Sequence, residues 1–182
     1  MAHERTDSYL KDSISLFKYY KRLGENAIAQ CPDTGLVALL DDQSNSIATI
    51  VKHLSGNMIS RWTDFLTTDG EKPARNRDAE FDDPPKTRAA ILDLWDAGWK
   101  SVFTALEGLS DTDMTKTVTI RGEEHSVMQA INRQVAHYTY HIGQIVLLAR
   151  HYAGANWKSL TVPKDKSKEF NADVAAGKKS QR

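Results

Sequence analysis

The feature that most constrains this chain is a run of apolar residues that starts after Ser126. Met128, Ile131, Val135, Tyr138, Ile142, Ile145, Val146 and Ala149 recur every three or four positions, the period of an α-helix with one face against a core. A separate face of the same helix carries His137 and His141 with Ala130, Gln134, Gln144 and Leu148. Apolar or small residues therefore cover most of its circumference. A helix so covered is buried on more than one side, which implies other helices of a bundle and a partner subunit, hence a homodimer.

Three earlier stretches supply the other helices. The first is expected from about Asp7 or Ser8 to Ala29, ended by Pro32 and Gly35, with Asp7 and Ser8 both able to cap free backbone donors. Leu36 to Leu40 reads as a short apolar turn closing one end. The second helix, with caps offered by Asp41, Asp42 and Ser44, has the stripe Ile47, Val51, Leu54, Met58, Trp62 and Phe65. The third spans about Lys86 to Leu109 and is read from Ile91, Leu92, Trp95, Trp99, Val102, Phe103 and Leu106. Between it and the last helix, the β-branched alternation from Thr115 to Arg121, followed by Gly122, suggests a short extended segment or hairpin.

The connection over 67–86 is the longest polar segment before the tail, broken by Gly70, Pro73, Pro84 and Pro85. It is long enough to cross from one end of a bundle to the other, which places the second and third helices parallel. The expected fold is all-α: a four-helix bundle over 1–155 with a long crossover between the second and third helices. A C-terminal extension, 156–182, is expected to be partly ordered at most, extended where Trp157, Leu160, Val162 and Phe170 tack it down, and without structure over 172–182. A loop as long as 67–86 is usually functional or disordered, and Arg75 or Arg77 within it could order over a polar ligand.

Acidic and basic residues balance at 24 each, so no global field favours nucleic acid or an anionic membrane. No run approaches the ~20 apolar residues of a membrane span, and the first eight residues lack the apolar core of a signal peptide; His3 among them reads as a surface residue. The single Cys31 excludes an intrachain disulfide framework and a Cys-rich zinc site. It fits a cytoplasmic compartment, and beside Pro32 it reads as structural rather than nucleophilic.

His137 and His141, four residues apart, lie one above the other on a helix and can reach one metal ion together. Such pairs also occur on solvated helix faces. A third ligand should come from elsewhere: His53, beside Ile50 and Asn57 and off the centre of the second helix's stripe, is the best candidate, and His125 just before the last helix is the weaker one. His151 lies near the helix end, where the dipole favours a cation, and is not counted as a ligand. No Glu follows His137 directly, so the zinc-protease arrangement is absent.

His53 within Ile50-Val51-Lys52-His53-Leu54-Ser55-Gly56-Asn57, and His137-x-x-x-His141 followed by Ile142-Gly143-Gln144-Ile145, resemble the metal triad of the DinB/YfiT-like superfamily. The resemblance covers about residues 8–155. The run from Ser60 to Lys72 resembles a branch of unassigned function. The resemblance implies a usually dimeric bundle with a divalent ion on His53, His137 and His141. Zinc or nickel is favoured, with iron or manganese as alternatives. Relatives include transferases and isomerases that use bacillithiol, mycothiol or glutathione, which makes a thiol-dependent transferase acting on a small molecule the first expectation. A metal-dependent hydrolase and a non-catalytic, stress-related metal-binding bundle are the alternatives.

Overall fold

The structure is a computed structural model that describes residues 5–180; His3 and the last two residues of the tail lie outside it. Four long helices form the body: α1 (Tyr9–Gln30), α3 (Ile47–Trp62), α4 (Arg88–Glu107) and α5 (Val127–Ala153). A short α2 (Asp33–Val37) follows α1 and presses Leu36 into the core. The hairpin β1 (Thr117–Ile120) and β2 (Glu123–Ser126) precedes α5. Its tight turn takes positive φ at Arg121 (58°) and Gly122 (78°), the twist that suits a two-residue hairpin loop.

The helices start where side-chain oxygens satisfy the free backbone donors of the first turn. Ser8 accepts from Lys11 N–H, Ser46 from Thr49 N–H, Thr87 from Ala90 N–H and Ser126 from Gln129 N–H. Gln129 returns the contact to Ser126 N–H, completing a capping box before α5. The cap of α3 is thus Ser46, not Asp41, Asp42 or Ser44. Ser44 is engaged in the preceding turn, where its Oγ accepts from Leu40 and Asp41 N–H.

One aromatic from each long helix meets at the centre. Phe17 of α1 lies 6.1 Å from Trp62 of α3, 6.1 Å from Trp99 of α4 and 5.8 Å from Tyr138 of α5, centroid to centroid. Edge and tilted contacts of this kind add to the burial of large apolar area. The one polar link inside the group is Trp62 Nε1–H donating to the Tyr138 hydroxyl at 2.9 Å.

The topology follows from end-to-end contacts. Tyr9 donates to Asn132, Phe17 meets Tyr138, and Gly35 lies beside Tyr152, so α1 and α5 run the same way. Helix α4 begins where α1 finishes, because Arg88 donates to the carbonyls of Ile28 and Cys31. Helix α3 also begins at that end, just after α2, so α3 and α4 are parallel, as the length of their connection implied. The crossover runs back along α3: Gly70 lies near Arg61, Glu80 beside Gly56, and Lys52 Nζ donates to the carbonyls of Ala79 and Asp82.

The tail departs from the expectation of an extended strand. Ser167–Ala175 forms a short helix, α6, carried by the local ion pairs Lys166–Glu169 and Lys179–Asp173 rather than by buried apolar residues. Among the described residues no helix is long and apolar enough to cross a membrane.

Close packing makes two helical glycines behave oppositely. A Cβ at Gly24 would lie 2.5 Å from Cη2 of the buried Trp95, whereas one at Gly143 would meet nothing within 4 Å. Gly24→Ala should therefore lower the thermal midpoint, since overpacking costs about 1–3 kcal/mol against a helix gain of about 1 kcal/mol. Gly143→Ala should raise it. Equal shifts in melts of the two variants would contradict the described α1–α4 contact.

Candidate metal centre

His53 comes from the middle of α3 and is buried, while His137 and His141 are half-buried on successive turns of α5. One ring nitrogen from each lies within 4.8 Å of the others. His53 Nε2 and His137 Nε2 are 3.3 Å apart. Two imidazole nitrogens on one tetrahedral ion, each at about 2.0–2.1 Å, are separated by roughly that distance. The three rings could hold a metal ion.

Two neighbours set the direction in which these rings present their lone pairs. Glu80 Oε2 lies 2.8 Å from His53 Nδ1. Burial alone would raise the Glu80 carboxyl, but the hydrogen bonds from His53 and Arg75 outweigh it and hold the group below its ordinary range. An ionised carboxylate can only accept, so Nδ1 carries the proton and Nε2 is free to ligate. At His141, Nδ1 donates to Gln144 Oε1 at 2.8 Å, which again leaves Nε2 free. Phe81 stacks on the His53 ring at 4.9 Å.

Burial, with smaller contributions from His141 and His53, pushes His137 down to about 3. Burial likewise lowers His141, with the Gln144 hydrogen bond opposing and His53 adding. Both rings are therefore neutral at pH 7, the form that binds a metal. Their donor type and charge state fit a divalent ion with imidazole preference.

Behind His53 stands a line of charges supplied mostly by the crossover. Arg75 grips Glu80 through Nε at 2.7 Å and Nη2 at 2.9 Å. Glu71 in turn accepts from Arg61 at 2.9 Å, Arg121 at 3.0 Å and Arg75 at 3.3 Å. Arg61 also donates to the Gly70 carbonyl. In front of the triad, a cavity of about 210 Å³ opens beside His53 and His137.

Other residues singled out in the sequence lie apart from this cluster. His125 sits on β2 with Nδ1 against the Glu123 carbonyl, and His151 is exposed in the last turn of α5. Cys31 is buried beside Gly35, and burial pushes its thiol up. Arg75 is committed to carboxylates rather than poised for a ligand, and Arg77 lies over the Phe81 ring while lining the cavity. Glu80 was not visible in sequence, where it is one of many mixed charges. Gln144 lies three residues after His141 on the same face, but nothing in the sequence assigns it to hold that ring.

The sequence signature of the family described as protein of unknown function DUF1572 matches residues 4–166. The chain belongs to that family. A solved DinB-like protein from Bacillus cereus has the same fold, with a TM-score of 0.56 and 16% identity over 78% of this chain and 91% of that one. No curated protein matches. This DUF1572 bundle is thus DinB/YfiT-like in fold, and its three histidines are contributed by the second and last of the four long helices.

Because Glu80 fixes the His53 tautomer, Glu80→Gln should weaken metal binding about 10–100-fold, the usual effect of losing such an orienting carboxylate. Alanine at His53, His137 or His141 should each abolish stoichiometric metal. Competition with a chromophoric chelator measures the first effect and elemental analysis the second. Unchanged affinity in Glu80→Gln would show that this contact does not tune the site.

Proposed function

We propose that this DUF1572 protein is a metal-dependent transferase that uses a low-molecular-weight thiol, with His53, His137 and His141 as ligands of a zinc or nickel ion. The observation that supports this reading is the convergence of three histidine donors, two of which, His53 and His137, line a cavity. Three ligands leave a coordination position for a reactant, the pattern of catalytic rather than structural sites. A divalent ion so held supplies stabilisation of a thiolate at neutral pH.

The chain's own residues favour an imported nucleophile. Among the described residues no carboxylate or thiol lines the cavity, and Glu80, the acid that touches the triad, is occupied by His53 and Arg75. It is thus poorly placed to activate a water. Its role is to accept from His53 Nδ1 and leave Nε2 facing the site, while Gln144 orients His141 in the same way. Phe81 shields the His53 ring from solvent water.

Cobalt substitution tests this reading. Titration with bacillithiol, mycothiol, glutathione and cysteine should give a sulfur-to-cobalt charge-transfer band with at least one of them, lost in His141→Ala. If no thiol perturbs the spectrum while an ester substrate analogue does, hydrolysis replaces thiol transfer.

We further propose a homodimer through α5. The stripe first read as apolar excess, including Ile131, Tyr138, Ile142 and Ile145, is taken up by the bundle core. A different face remains: Ala136, Tyr140, Gly143 and Leu147 follow one another at helical spacing and are exposed, Tyr140 and Leu147 each at 64%. Burying them would remove apolar area at about 25 cal/mol per Å², offset in part by the entropy of association. Light scattering should give a dimer mass for the wild type and a monomer mass for Leu147→Asp. A wild-type monomer at micromolar concentration would remove the claim.

A further inference from the structure

The cavity beside the triad has a composition that metal binding does not explain. Five arginines line it: Arg61, Arg75, Arg77, Arg121 and Arg133. Two carboxylates, Glu71 and Glu80, stand against them and pair with Arg61, Arg75 and Arg121. Arg77 and Arg133 make no ion pair among the described residues, and the Arg77 guanidinium lies over the Phe81 ring at 5.3 Å. The excess is three positive charges facing one small space, before any metal charge is added.

A second observation is independent of charge. The cavity is also lined by Asn57 and Gln134, which are 6% and 3% exposed. Among the described residues neither Asn57 Oδ1 nor Gln134 Oε1 has a hydrogen-bond partner, nor does Nε of Arg61, which is 3% exposed. Leaving a buried polar atom unpaired costs about 1–3 kcal/mol, so three at one cavity mark a place where a polar guest is expected. A side-chain amide can both donate and accept, whereas the guanidinium forks match planar or tetrahedral oxyanions.

We propose that this cavity binds the oxyanion group of a small acid, a carboxylate or a phosphate, and presents the rest of that molecule to the histidine triad. Arg133 and Arg77 supply the free charge, Arg61 Nε donates from the floor, and Asn57 and Gln134 select a polar neighbour of the anion. Arg75 and Arg121 act behind them, held by Glu71 and Glu80. The volume is below the ~300 Å³ typical of a whole ligand pocket, so the cavity encloses a head group rather than an entire substrate. Helical spacing places the subsite next to the ligands: Asn57 and Arg61 follow His53 by one and two turns, and Arg133 and Gln134 precede His137 by one turn.

This deepens the transferase reading by naming a substrate class, and rests on it only for the chemistry that follows binding. The trial therefore uses the full-length, metal-free chain, so that failure here and failure of the metal–thiol reading are separate results. Calorimetry at low ionic strength, with phosphate in one arm and malonate in the other, should show one saturable site for at least one anion. The arm that binds identifies the group. Arg133→Gln should weaken it at least tenfold, Arg77→Gln should weaken it measurably with the melt of the wild type retained, and Arg150→Gln, on the exposed end of α5, should leave it unchanged. No saturable binding of either anion, or binding that Arg133→Gln leaves unaltered, overturns the proposal.

Discussion

A buried carboxylate holds the centre together. Glu80 joins the His53 ring to the Arg75 guanidinium, with side chains only 5–8% exposed on all three. Charges taken out of water in this way are costly unless their geometry is good, and removing one partner of such a pair typically destabilises by about 3–5 kcal/mol. The bidentate grip of Arg75 and the proton of His53 Nδ1 together satisfy Glu80. The same contact fixes the tautomer of a ligand, pins the crossover to α3 and orders Phe81 over the ring. Structure and chemistry at this site are one arrangement. The crossover thus forms one wall of the centre.

Gly56 is the sequence's concession to that wall. A Cβ there would collide with Glu80, so the acid can approach α3 only across a residue without one. Asn57, Arg61, Ser55 and Ser60 are buried on the same helix, which gives α3 an unusually polar interior face. Local rules of core packing are broken where the site is built, as expected where function competes with stability.

The four long helices were legible because each has a stripe that only a 3.6-residue period explains, and because Pro and Gly separate them. The spacing of His137 and His141 was equally direct. His53 was legible as a candidate, yet its burial was not: off the centre of its stripe, it is covered by a loop whose path depends on tertiary contacts. Glu80 was hidden for the same reason, since nothing local distinguishes it from Asp78 or Asp82. The Ser46 cap was missed in favour of Asp41, Asp42 and Ser44, because Ser44 spends its hydroxyl on a turn. Helix α6 escaped notice because it buries no apolar stripe. The cavity's arginines come from α3, the crossover, the hairpin turn and α5, so their convergence is a property of topology alone.

That topology has a kinetic meaning. His53 and His137 are separated by 84 positions in the chain, and Glu80 reaches His53 only after the crossover has retraced α3. The entropy of closing such distant segments is met late, when the helices have already docked. An unfolded chain offers a metal little beyond the local pair on α5, whereas the complete chelate exists only in the native arrangement. An ion that prefers the complete chelate stabilises the native state by mass action. A chelate drawn from α3 and α5 would thus form only once those two helices have met with the crossover in place.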